Sequence, residues 1–105
     1  MSVYLGTNKV GSGKYEPKVE PKTLSIILSA SSWNSSTNTL TVTATGVTSN
    51  NIVFVAPFNT GSLPDSITNY TDSSIWCSGQ GTDSLTFTCS TIPSSNINVN
   101  VTFWG

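Results

Sequence analysis

Residues 39–45 read TLTVTAT. Leu40, Val42 and Ala44 alternate with four threonines, and a strict two-residue period belongs to a strand with one buried face. The pattern recurs. TLSIILS at 23–29 alternates Leu24, Ile26 and Leu28, and SLTFTCS at 84–90 alternates Leu85, Phe87 and Cys89. In NINVNVTFW at 96–104, Ile97, Val99, Val101 and Phe103 face one way, and Asn96, Asn98, Asn100 and Thr102 the other. IVFVA at 52–56 is apolar throughout, as in a central strand, and Pro57 stops it. SIWCS at 74–78 completes the set. The turn sequences GVTSNN, GQGTD and TIPSS separate these runs, and no stretch of twelve residues has a helical period. The fold expected is all-β: a small Ig-like (immunoglobulin-like) β-sandwich of six to seven antiparallel strands over residues 23–105, with a small barrel as the alternative. Residues 57–74 form the longest irregular segment, a length at which loops are often functional.

Ser, Thr and Asn make up about two-fifths of the chain, a proportion that by itself would suit disorder. Three Trp, four Phe and three Tyr in ordered alternation argue instead for polar faces on packed strands. The chain of 105 residues is then one small domain preceded by an arm. Residues 1–22 hold all four lysines against two glutamates, a net of +2. From residue 23 on there is no Lys, Arg or His, and Asp65, Asp72 and Asp83 give −3. A domain without cations is a poor partner for phosphate backbones, so no nucleic-acid partner is expected. No run approaches the ~18 apolar residues of a membrane helix, so no membrane partner is expected. The start MSVYLGTNKVGSGK has no apolar signal-peptide region, and the glycosylation sequons at Asn34, Asn69 and Asn100 are read as unused.

The arm has two parts. SVYLGTNKV at 2–10 is strand-like, with Val3 and Leu5 on one face and Tyr4 on the other. YEPKVEPK at 15–22 repeats EPK, and Pro17 and Pro21 push their preceding residues toward extended geometry. An isolated short strand is unstable in water and gains stability on the sheet edge of another chain. Val3, Tyr4, Leu5 and Val10 are therefore the expected anchoring residues, with Lys9 and Lys14 positioning them on an acidic partner surface.

Chemistry is sparse. Nucleophilic triads need a general base, and no His is present and no Lys follows residue 22. Asp65 and Asp72 in LPDS and TDSS sit in turn contexts, and no catalytic residue, cofactor or metal site is expected. Cys77 and Cys89 are either two buried thiols or one cross-strand disulfide. Aromatic faces on a β scaffold hold sugars, which makes Trp33, Tyr70 and Trp76, with Asp65 and Asp72, candidate glycan contacts. Trp33 and Trp76 are also expected in the core or at the ends of the sandwich, and Tyr70 in the polar loop is expected to be exposed. The outward Thr and Asn rows carry no guarding charge; they are either solvated faces or faces packed on identical neighbours.

VYLGTNKV followed by a short spacer resembles the start of fibre and tail-associated proteins of phages of Gram-positive, Clostridium-like hosts. TVTATGVTSNNIVFVAPF and YTDSSIWCSGQGTDSLTFTCSTIPSSNINVNVTFWG look like a β module of such virion proteins, from Thr41 to Val101. The resemblance implies a structural virion protein: a short fibre, head fibre or capsid decoration, assembled in the host bacterial cytoplasm. Residues 1–22 would dock it on capsid or tail proteins and the sandwich would project. A homo-oligomer is expected, and a trimer would favour a fibre. A host-surface carbohydrate-binding module is the alternative.

Overall fold

The structure, a computed structural model, describes residues 20–105. The arm residues Val3, Tyr4, Leu5, Lys9, Val10 and Lys14 lie outside the described residues. Six strands form: β1 (Lys22–Leu28), β2 (Thr39–Thr43), β3 (Ile52–Pro57), β4 (Trp76–Gly81), β5 (Ser84–Thr88) and β6 (Ile97–Trp104). A short 3-10 turn (Ala30–Ser32) follows β1, and a helix, α1 (Ser66–Asp72), lies between β3 and β4. The strands make two three-stranded antiparallel sheets in the orders β1-β6-β3 and β2-β5-β4. This is the small all-β sandwich that the alternation predicts. The strand order adds a detail: β1 pairs with β6 and β2 with β5, the nested pairing of one long hairpin rolled up on itself, as in jelly rolls.

The inward rows supply the core. Leu28, Leu85, Phe87, Ile97, Val99 and Val101 are wholly buried, and Leu40, Ala44, Cys89 and Phe103 join them. The outward hydroxyls pair across strands. Thr41 and Thr86 lie 3.0 Å apart, Thr88 donates to Ser78 at 2.7 Å, and Ser25 donates to Asn100 at 3.2 Å. Such cross-strand pairs stabilise a sheet without apolar area.

Three expectations change. First, β3 is an edge strand and β6 is central. Val53 and Val55 pack toward the core, while Ile52, Phe54 and Ala56 point out and are exposed. A continuous apolar run marks burial on both faces only when something covers the second face. Second, residues 57–74 contain α1, whose inward positions Ser66 and Tyr70, continued by Ser73 just past its end, follow helical spacing with mostly polar residues. Tertiary hydrogen bonds rather than an apolar stripe hold it. Asn59 Oδ1 accepts the Ile67 N–H at 2.9 Å, and Ser66 Oγ accepts the buried Asn98 N–H at 3.0 Å. Third, Asn98, expected to face solvent, is buried, and its side-chain amide donates to Thr60 Oγ1 at 2.9 Å.

The turns at the far end of the sandwich are tied together. Gln80 donates to the Thr48 and Asn51 carbonyls, both at 2.9 Å, which fixes the β2–β3 turn to β4. Asp83 has φ 54° and its Oδ1 accepts the Gly46 N–H at 2.8 Å. This end also holds the start of β1 and Gly105, because Glu20, Lys22, Trp104 and Gly105 line one cavity of about 220 Å³.

Candidate functional site

The residues singled out for sugar binding do not converge. Trp33 belongs to the core at 7% exposure, and its indole N–H is buried without a hydrogen-bond partner. Tyr70 is half-buried and packs against the core, and burial first, then the neighbouring Cys77, pushes its hydroxyl pKa up. The expectation that Tyr70 is exposed fails because it lies on the inward face of α1, four residues after Ser66. Asp65 and Asp72 are both exposed, one preceding and one ending α1. Seven helical residues at a rise of 1.5 Å separate them by about 10 Å along the axis. Asp65 lines a cavity of about 130 Å³ with Leu63, Pro64, Asn69 and Asn96, and no aromatic residue lines it. A stacking platform for a sugar ring is therefore missing at that cavity.

Cys77 and Cys89 are both free thiols. Cys77 pairs in register with Phe87, so Cys89 falls two positions further along β5's direction rather than opposite it. Burial pushes both thiols above their ordinary pKa.

What the structure does bring together is an uncharged apolar face. Ile52 and Trp104 are direct cross-strand partners, and Phe54 faces Thr102 one step along. Side chains at such positions lie about 5 Å apart on one face of a sheet. Ile52 is 58% exposed and Phe54 66%. Trp104, half-buried, joins them, and Thr23 and Thr102 bound the patch on the β1 side. On the other sheet Trp76 points outward opposite Thr88, 56% exposed and without an apolar neighbour of its own on that face. Scattered single apolar residues are normal on a surface, while a contiguous group is the feature of a binding face.

Edge chemistry singles out the same strand. The β1-β6-β3 sheet ends at β1 and β3. β1 begins with Lys22, whereas Ile52–Pro57 carries no charge, and what blunts it is its terminal Pro57 and the packing of α1. Natural edges are usually guarded by charge, bulges or cover. In the second sheet β4 carries a bulge between Cys77 and Gly79, and β2 is a short polar threonine edge. The residues of the β3 face were hidden in the sequence because an apolar run reads as core. The signal that distinguishes them is the contrast with β2, β5 and β6, in which apolar and polar residues alternate.

No family model, no curated protein and no solved structure matches this chain.

Proposed function

We propose that this protein is a structural component of a phage virion, a short fibre or capsid decoration that docks through its N-terminal arm and projects the sandwich. The observation that carries this reading is the uncharged apolar face of Ile52, Phe54 and Trp104 on an unguarded edge. Such a face suits permanent burial against protein rather than reversible capture of a polar ligand. The resemblance of VYLGTNKV and of the Thr41–Val101 pattern to virion β modules supports the same reading, as does the division between a lysine-bearing arm and a domain without cations. Carbohydrate binding is the weaker reading, since Trp33 and Tyr70 are taken up by the core and exposed Trp76 stands alone opposite Thr88, on the other sheet from β3.

The test is particle incorporation. The buried core among the described residues begins at Leu28, with Leu24 and Ile26 packed on it, so removal of residues 2–15 leaves the sandwich its own core. Tagged full-length and Δ2–15 chains are supplied during infection and the particles banded on a density gradient. The full-length chain co-migrates with particles and the Δ2–15 chain does not. Normal incorporation of Δ2–15 would sink the reading.

A further inference from the structure

The β3 edge has a specific requirement. Its occupant must be apolar on both faces. On the inner side Val53 and Val55 pack on the core yet stay half-buried, because no strand continues the sheet beyond them. On the outer side Ile52 and Phe54 are more than half exposed. A strand added beside β3 would place alternate residues next to each of these rows. An ordinary amphipathic strand would satisfy one row and set polar groups against the other.

The chain contains one segment of that kind outside the sandwich. In VYL, Val3 and Leu5 share one face and Tyr4 the other, so both faces are apolar. Its charge also suits the sandwich: residues 1–22 carry +2 and residues 23–105 carry −3. Complementary charge speeds and orients such docking.

The arm is long enough to reach a neighbour's edge. β1 and β3 are the two outer strands of one three-stranded sheet, about 10 Å apart. The twelve residues from Val10 to Lys22, extended around Pro17 and Pro21 at about 3.1 Å each, reach about 37 Å. That reach is an upper bound that spans both the copy's own edge and the edge of the next copy, so the oligomeric state tells the two apart. The described chain starts at Glu20 in the cavity beside Trp104, so the arm leaves from the end of the apolar face it would supply on a neighbour.

We infer that residues 2–10 of one copy add as a strand to the β3 edge of a second copy, with Tyr4 against Ile52 and Phe54 and with Val3 and Leu5 against Val53 and Val55. This rests on the reading of the arm as the docking element and names its acceptor. The interaction is heterologous, arm to edge, so it closes into a ring such as a trimer or propagates as a filament.

The experiment uses the full chain. Sedimentation of the wild type, Leu5→Asp, Phe54→Asp and a control, Thr41→Asp on the opposite sheet, is read beside their far-ultraviolet circular dichroism. The wild type and Thr41→Asp sediment as assemblies of two or more copies. Leu5→Asp and Phe54→Asp weaken assembly at least tenfold with an unchanged spectrum. Hydrogen exchange supplies a second readout: β3 amides not bonded to β6 are protected in the assembly and exchange freely in Leu5→Asp, a chain whose sandwich is untouched. A monomeric wild type, or an assembly that survives both substitutions, overturns the inference. If the wild type is monomeric yet still needs residues 2–15 to join particles, the self-docking fails and the proposed function stands. If it assembles through the arm but joins particles without it, the proposed function fails instead.

Discussion

The Ser66 hydroxyl accepts the backbone N–H of Asn98 at 3.0 Å and donates to the Leu63 carbonyl, also at 3.0 Å. Ladder pairing of β3 with β6 ends at Pro57 and Val99, and the Asn98 carbonyl is met by the Phe58 N–H. Its N–H would then be buried without a partner, and a side chain from α1 supplies the acceptor. This contact is why a polar serine occupies a site that is 1% exposed. Ser66→Ala removes the acceptor and leaves a buried donor, which costs about 1–3 kcal/mol. For a domain of this size that lowers the melting temperature by at least about 4 °C. Calorimetry on the two proteins checks it; an unchanged melting temperature would show that the Asn98 N–H finds another partner.

The start of α1 makes a prediction that sequence inspection alone would invert. Asp65 occupies the N-cap position, yet its side chain makes no capping hydrogen bond. The Ile67 N–H is taken by Asn59 from eight residues upstream, at 2.9 Å. Loss of a working cap costs about 1 kcal/mol. Asn59→Ala should therefore destabilise the domain by about that much. Asp65→Ala should cost only a few tenths of a kcal/mol through the local field at the helix start. Urea midpoints of the two variants decide the order.

These two positions also show what was legible. Strands β1, β2, β5 and β6 and their inward rows follow from the two-residue alternation, because burial of one sheet face imposes that period. α1 was not legible, because Ser66 and Tyr70 carry its inward face and its bonds come from Asn59, outside the helix, and from Asn98 on β6. The candidate face was illegible for the opposite reason. Ile52, Val53, Phe54 and Val55 look alike in sequence, and only the strand order says that β3 has one uncovered side. Sheet order depends on pairings such as Leu24 with Val101, across most of the chain, which no local pattern specifies.

Gly46 tests the tied end of the sandwich. Its φ is +93°, and a Cβ there would lie 3.4 Å from Phe103 Cζ. The left-handed region costs an L-residue roughly 1–2 kcal/mol, while the new methyl would sit at ordinary contact distance from the Phe103 ring. Gly46→Ala should destabilise by at least about 1 kcal/mol in urea titration. The expected structural signature is a shift of Phe103 aromatic resonances, which a purely local backbone effect would not produce.

The two thiols and Tyr70 set an alkaline limit on stability. Burial raises the pKa of Cys77 and Cys89 above 9.0 and that of Tyr70 above 10.0. A group that holds its proton more tightly when folded is deprotonated first in the unfolded chain. Above pH 9 the unfolded state therefore binds fewer protons, and stability falls as pH rises. Below the ordinary thiol range the contribution is fully present and flat. The urea midpoint should hold steady between about pH 6 and pH 8 and decline above about pH 9. Cys89→Ala, which removes one titrating thiol, should shallow that decline while lowering stability at neutral pH. The same samples check the thiol state: with both free, alkylation is slow in the native protein and complete at two sites in denaturant. A disulfide between Cys77 and Cys89 would give no modification without reductant and no contribution of the thiols to the alkaline decline.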